Sequence, residues 1–408
     1  AGRVGLGTWQ TEAEFRNVKV TTSAGATLWE GVPPVPVFSA RHWEAYGSPG
    51  RVSTASGDAA NGRRCVRVRG EDAEVVGGLR QSNLCARAGD VLRGSLWVSG
   101  RLSKGLRVRV RDAAGPVAET VLPAADSAGW TELQVELRPL RDARDAVFEI
   151  ELMGPADARL DQVVLMPDSA RATGGFRPDL LAALAALRPS LLRWPGGAYA
   201  EHYRWRHGVG PQVRRRPNAV PMWDDLDVNA LGTDEFMALC RRLNAEPVLV
   251  INTGRHDRQS PREQYLREAL DWVEYCNGSA DSPMGRERAQ NGHAEPYGVR
   301  YWEIDNEAWI INDVETYIAI VREFAPALRR ACPDAFLIAC GGSGLSVERH
   351  GRWDPRLIEA CAELVDAISV HHYEDPNQFA TGPARADRWF RELAELIRRS
   401  RNPNLKIF

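Results

Sequence analysis

Near residue 176 the hydrophobic period of the chain changes, and this change narrows the fold more than any other feature. Downstream, short apolar runs alternate with amphipathic stretches: SLLRW, TDEFMALCRRL, PVLVIN, REQYLREALDWVEYC, RYWEID, VETYIAIVREFAPALRRA, AFLIAC, PRLIEACAEL, DAISVH, ARADRWFRELAELIRRS and NLKIF. Apolar strands separated by helical segments predict parallel strands with helical crossovers, and six such strands are visible. Pro178 suits a first helical turn, and Thr233 ahead of Asp234 and Glu235 reads as a helix start. Loops are long after the first three strands and shorter after the later ones. In a (β/α) barrel such loops, at the C-terminal ends of the strands, build the active site. A doubly wound sheet is the competing architecture. Against it, no G-x-G-x-x-G follows a strand, and the turns PGG (195–197) and GGSG (341–344) lack the spacing of a phosphate cradle.

Upstream the text is strand-like, with RCVRVRG (64–70), GSLWVSG (94–100), LRVRVRD (106–112), TELQVEL (131–137), AVFEIEL (146–152) and RLDQVVLMP (159–167) separated by Gly, Pro, Asp and Ser. Short alternating strands at this spacing predict an antiparallel β-sandwich. Residues 1–30 hold two further strands, in GRVGLGTW and EFRNVKVTT, set apart by the Pro-rich VPPVPV segment, which reads as a spacer. The expected organisation is therefore the end of a β domain over 1–30, a sandwich over 36–167, and a (β/α) unit over 168–408.

Charge excludes some function classes. Acidic and basic residues number 54 and 52, so no long-range field recruits nucleic acid or an anionic membrane, and a neutral ligand fits better. No run approaches the roughly 18 apolar residues needed to cross a bilayer. Seven dispersed Cys without a CxxC or a Cys/His cluster predict buried thiols and no metal or cofactor, with Cys65 and Cys85 the one pair that could bridge. Thirteen Trp suit sugar stacking, although large core residues account for most of them.

Chemistry concentrates at strand ends. YWEIDNEAW (301–309) brings Asp305, Asn306 and Glu307 to one tip; alone, an acidic strand end often does no more than cap the next helix. RWPGGAY (193–199) offers Arg193 and a Gly196-Gly197 turn that lets backbone approach a ligand. VLVINTG places Asn252 at its own tip, and DAISVHHYE ends in His371, His372, Tyr373 and Glu374, with alternation sending His371 and Tyr373 to one side. Each has a bland explanation, an ion pair for Arg193 or a surface position for His372, but four polar tips on one barrel rim point to a site.

Together these segments resemble family 51 of the glycoside hydrolases, the α-L-arabinofuranosidases, over roughly residues 36–408. RWPGGAY with YRWRHGVGP is similar to that family's second strand and loop, LGTDEFMALCRRLNAEPVLVINTG to its third, and NGHAEPYGVRYWEIDNEAW to its fourth with the Asn-Glu pair. The sandwich resembles the carbohydrate-binding-like insertion of longer members, and GLGTWQTEAEFRNVKV the end of a concanavalin-like jelly roll. The resemblance implies an incomplete TIM (β/α)8 barrel, strands 2 to 7, in a retaining exo-acting enzyme that releases arabinose from plant cell-wall polysaccharide side chains. Its partner would be an arabinose-containing oligo- or polysaccharide.

The resemblance makes Glu307 the general acid/base and Asn306 a donor to the sugar 2-hydroxyl. Arg193 would lie beneath the carboxylates, His371 and Tyr373 would orient nucleophile and sugar, and Trp205 and Asn252 would line the pocket. Two departures bear on the sugar: Asp305 stands where Gly commonly precedes Asn-Glu, and Ala198 replaces the Asn or Cys that often follows PGG. In the family the nucleophilic Glu follows the seventh strand, so the chain is expected to be a fragment whose partner carboxyl lies beyond NLKIF. Two alternatives stay open, another retaining specificity such as a β-xylosidase or endoglucanase, and a noncatalytic carbohydrate-binding protein. The compartment is not fixed by the residues, with export weighed ahead of the cytoplasm.

Overall fold

The computed structural model describes residues 18–22, 25–31, 40, 42–47, 51–71, 77–220, 225–257, 259–343, 347–373, 377 and 379–408. GRVGLGTW, the VPPVPV segment, Gly344 and Glu374 lie outside them. Two compact units result, Ala1–Ala182 and Ala183–Phe408.

The first unit begins with an antiparallel hairpin, β1 (Val18–Thr21) and β2 (Thr27–Gly31). Ten strands follow: β3 (Glu44–Gly47), β4 (Val52–Ser56), β5 (Arg64–Gly70), β6 (Gly77–Ala86), β7 (Leu92–Leu102), β8 (Leu106–Asp112), β9 (Gly115–Leu122), β10 (Ala125–Leu137), β11 (Ala143–Leu152) and β12 (Ala156–Pro167). They form two five-stranded antiparallel sheets, β10-β7-β12-β5-β4 and β3-β6-β11-β8-β9. Period-two alternation explains the burial. Leu106, Val108 and Val110 of β8 enter the core, while Arg107 and Arg109 turn outward to Glu151 and Glu149 of β11 at 2.5 and 2.6 Å. A short helix, α1 (Asp168–Arg171), follows β12, and α2 (Pro178–Leu187) starts at the expected proline. Cys65 and Cys85 are both free thiols. The bridge considered from sequence is not formed: Cys65 on β5 is buried and Cys85 on β6 is exposed.

In the second unit β13 (Leu191–Trp194), β16 (Glu246–Ile251), β17 (Tyr301–Ile304), β18 (Phe336–Ser343), β19 (Ala367–His371) and β20 (Lys406–Ile407) form one parallel sheet in chain order. Between β13 and β16 lies a small hairpin, β14 (Asn218–Val220) with β15 (Asp225–Asp227). The crossovers carry α3 (Thr233–Leu243), α4 (Arg262–Asn277), α5 (Pro283–Gln290), α6 (Val314–Ala331), α7 (Val347–Cys361) and α8 (Gly382–Arg399). Consecutive strand order rules out the doubly wound alternative, whose order reverses at a switch point. Within the described residues the sheet has two edges, β13 and β20, so a closed barrel is not what the coordinates display.

The two faces of the sheet divide the work. Leu249, Ile251, Trp302, Ile304, Leu337 and Ile368 pack with the helices into the main core, whereas Val248, Ile338 and Ala367 form a small cluster on the opposite face, joined by Leu191, Tyr301 and Phe336. β16 is therefore apolar on both sides, as its unbroken VLVI requires. α3 starts at Thr233 as read, with Gly232 as its cap: the Gly232 amide donates to Glu235 Oε2 at 2.9 Å, and Thr233 is buried under Trp272, whose indole N–H donates to it. One local reading needs correction. α7 begins at Val347 rather than at Pro355, which it carries internally. α5 and the β14–β15 hairpin carried no periodic signal. Among the described residues no helix is long and apolar enough to cross a membrane.

Candidate active site

Polar side chains occupy the strand face that carries the small apolar cluster, one layer nearer the C-terminal tips. By alternation Arg193 follows Leu191, Glu303 follows Tyr301, and Ser369 and His371 follow Ala367. Glu303 has 0% exposure, which demands partners, because a buried carboxylate is costly unless paired. It has two: Oε2 meets Arg193 Nε, and Oε1 accepts from Ser369 Oγ at 2.6 Å. Arg193 in turn donates from Nη2 to Asn306 Oδ1 at 2.9 Å. Gly196 sits where a Cβ would come within 3.4 Å of Arg193 Nη1, and Gly197 has φ +58°, so both glycines of the PGG turn serve backbone geometry.

At the β17 tip, Asp305 (φ +70°) and Glu307 (φ +45°) both adopt the left-handed conformation on either side of buried Asn306. Arg255 Nη1 donates to the Glu307 carbonyl at 2.7 Å, and the Asn306 amide donates to Asp305 Oδ1 at 2.7 Å. The Asp305 carboxyl is buried against Thr253 Oγ1, with Arg255 Nε at 3.6 Å. Burial pushes its pKa up, while the Arg255 charge and the Thr253 hydrogen bond pull it down. Asp305 is thus engaged by the loop after β16, and Glu307 takes a different neighbour: its Oε1 lies 2.8 Å from His371 Nδ1, with side chains 17% and 20% exposed. Arg193, Asn306, Glu307 and His371, from three strand tips, stand in one connected polar region.

Three expected residues lie elsewhere. Tyr373 is 61% exposed; β19 ends at His371, so strand alternation no longer governs a residue two positions on. Trp205 is 3% exposed and donates its indole N–H to the Glu268 carbonyl at 2.8 Å, parallel to Trp272 with ring centroids 6.3 Å apart. It anchors the loop after β13 to α4 and does not line an open pocket. Asn252 is at its strand tip, but its Nδ2 donates to the Tyr203 carbonyl and its Oδ1 accepts from the Gly254 amide, so it fastens two loops together. His372 stacks on Trp389 of α8 at 5.3 Å.

Residues 183–391 match the family described as "Alpha-L-arabinofuranosidase 1 domain", just over half of the 408 positions. The chain belongs to this α-L-arabinofuranosidase family. A probable α-L-arabinofuranosidase C of Aspergillus terreus is 34% identical over 250 residues, 56% of this chain and 47% of the relative. An intracellular exo-α-(1→5)-L-arabinofuranosidase of Streptomyces lividans is 32% identical over 211 residues, 50% of this chain and 30% of the relative. Among solved structures, a family 51 α-L-arabinofuranosidase from Bifidobacterium longum superposes with a TM-score of 0.52 at 26% identity, over 57% of this chain and 48% of that one. The chain spans about half the length of the fungal relatives it matches.

Within this arabinofuranosidase-family site, sequence reasoning did not find Glu201, Thr253, Arg255, Glu303 or Ser369. Glu303 did leave a signal: an acid at an inward position of the otherwise apolar YWEI strand can persist only if paired. Glu201 left none, because it belongs to the site only through contacts such as Asn306 Nδ2 to its Oε1 at 3.5 Å, across 105 positions.

Proposed function

We propose that Glu307 is the general acid/base of a retaining α-L-arabinofuranosidase that removes terminal arabinofuranosyl groups from plant cell-wall polysaccharide. The observation that carries this reading is the joining of Arg193, Asn306, Glu307 and His371 at neighbouring strand tips of a sheet from this family. A carboxyl that must both give and take a proton needs one oxygen fixed and one available. His371 engages Oε1 and leaves Oε2 to protonate the departing glycosidic oxygen. Asn306, its carbonyl oxygen held by Arg193 and one amide N–H directed at Glu201 Oε1, has its second amide N–H to offer the sugar 2-hydroxyl. The ionised partner carboxylate of a retaining pair stands about 5 Å from the acid and takes the sugar as a covalent ester, which water releases with Glu307 acting as base.

The test is hydrolysis of 4-nitrophenyl α-L-arabinofuranoside by the intact protein and its Glu307→Gln variant, with the first-formed anomer of arabinose followed by NMR. A loss of about 10²–10⁴-fold in turnover is the ordinary contribution of a positioned acid/base, and the α-anomer should appear first. Undiminished hydrolysis in the variant rejects the assignment of Glu307, and first appearance of the β-anomer rejects retention.

A further inference from the structure

Beside the Asn306–Glu307 tip lies a second group of donors that the hydrolytic reading leaves unused. Glu201 ends the short 3-10 helix Gly197–Glu201 after β13, His202 follows it directly, and His256 comes from the loop after β16. One donor atom from each residue lies within 4.8 Å of the other two. The imidazoles of His202 and His256 face each other with ring centroids 4.7 Å apart and a 35° tilt. The Glu201 carboxylate is buried, and its oxygens have separate neighbours: Oε1 meets Arg255 Nη2 and Asn306 Nδ2, whereas Oε2 meets His256 Nε2.

We propose that Glu201 Oε2 and the imidazoles of His202 and His256 bind a divalent transition-metal ion of the zinc class, with a further coordination position open to water. Two nitrogens and one carboxylate oxygen suit zinc, cobalt or nickel rather than magnesium or calcium, which prefer all-oxygen shells. A tetrahedral ion with bonds of about 2.0–2.1 Å sets its ligand atoms roughly 3.4 Å apart, so donors at the 4.8 Å limit of the group close by little more than ~1 Å, while Glu201 Oε2 and His256 Nε2, already in hydrogen-bond contact, part to admit the ion between them. Outer contacts that orient metal ligands are already in place, since Arg255 and Asn306 hold Oε1 and leave Oε2 for the ion. The guanidinium charge beside the site is offset from its other side by Asp305 Oδ1, 3.6 Å from Arg255 Nε. Entry is from solvent past the histidines: the His256 side chain is 24% exposed against 1% for Glu201. Fifty-five positions separate Glu201 from His256, so the sequence carries no closely spaced metal motif.

The proposal is independent of turnover and is tested by binding of the metal alone. The full chain, stripped with a chelator, is titrated with Zn2+ by calorimetry in excess Mg2+, and with Co2+ by visible absorption. One Zn2+ per chain is expected, together with Co2+ ligand-field bands and no thiolate charge-transfer band. His202→Ala and His256→Ala should each weaken Zn2+ binding by more than the roughly 10–100-fold that loss of an outer-shell partner costs. Their circular dichroism in the metal-free state should stay unchanged, and His371→Ala should retain wild-type affinity. Should an alanine variant misfold, His256→Gln, which keeps a polar group at that position, is expected to show the same loss. Absence of stoichiometric Zn2+ binding, survival of binding in both histidine variants, its loss in His371→Ala, or a thiolate band overturns the assignment.

Discussion

Arg193 and Glu303 form an ion pair of unequal burial, and the inequality makes a quantitative prediction. Glu303 is fully buried, while the Arg193 side chain is 25% exposed. Replacing Arg193 with Met leaves the carboxylate uncompensated, with the Ser369 hydroxyl at 2.6 Å as its remaining partner. Breaking a buried pair from that side costs about 3–5 kcal/mol. Replacing Glu303 with Gln leaves a guanidinium that still donates to Asn306 Oδ1 at 2.9 Å and reaches water, so the loss falls to about 1–2 kcal/mol, nearer that of a charged hydrogen bond. At about 2–4 °C per kcal/mol for a unit of this size, the first variant should melt roughly 6–20 °C lower and the second roughly 2–8 °C lower. The double variant should cost clearly less than the sum, because the second substitution removes a charge that the first has stranded. Urea unfolding followed by tryptophan fluorescence reads all three. If Arg193→Met costs no more than Glu303→Gln, or if the two effects add within about 0.5 kcal/mol, the pair is not the anchor of the site.

Gly341→Ala tests the approach of β18 to β19: its Cβ would come within 2.6 Å of the Ser369 carbonyl and 3.0 Å of Val370 Cγ1. Overpacking of this kind costs about 1–3 kcal/mol, and an unchanged urea midpoint would contradict the register. Asp112 is held down to a pKa of about 2, chiefly by its hydrogen bonds from Arg141. A carboxyl whose folded pKa lies below its unfolded value of about 3.9 stabilises the fold above that value, and the contribution disappears as pH falls toward 2. Asp112→Asn should therefore flatten the decline in urea midpoint between pH 5 and pH 2, and equal slopes for the two proteins would refute the ion pair's role.

Where one physical cause governs an element, the sequence was enough. α6 occupies the same residues as the amphipathic stretch VETYIAIVREFAPALRRA and runs through its internal Pro326, and β5 and β8 coincide with RCVRVRG and LRVRVRD, because burial on one face imposes a period strong enough to decide the element. Legibility fails where two causes compete. Pro355 reads as a helix start, yet it costs α7 one backbone hydrogen bond that the helix tolerates. Trp205 reads equally well as a sugar platform or a core residue, and the deciding fact is the distant Glu268 carbonyl that takes its indole N–H. Asn306, Glu307 and His371 were legible because each ends or follows a strand, and Arg193 because it lies one residue from the end of β13. Ser369 and Arg255 were not, since a serine inside a strand and an arginine in a loop acquire roles only from partners 66 and 52 positions away.

The β17 tip shows why the departure at Asp305 is tolerated. Where the family resemblance places glycine, the chain keeps the glycine-like backbone, φ +70°, and Glu307 repeats it at +45°. Left-handed residues with side chains cost of order 1–3 kcal/mol each and persist only where their surroundings fix them. Here the fixing groups are identifiable: the Asp305 carboxylate accepts the Asn306 amide, as short polar side chains do in this conformation, and Arg255 holds the Glu307 carbonyl. The same Arg255 also faces Asp305 and Glu201. An acid in place of glycine thus supplies a charge that keeps a buried guanidinium in position, and that guanidinium sets the peptide on which Glu307 is presented. Asp305 and Glu201 are both counter-ions of the guanidinium that holds the Glu307 carbonyl.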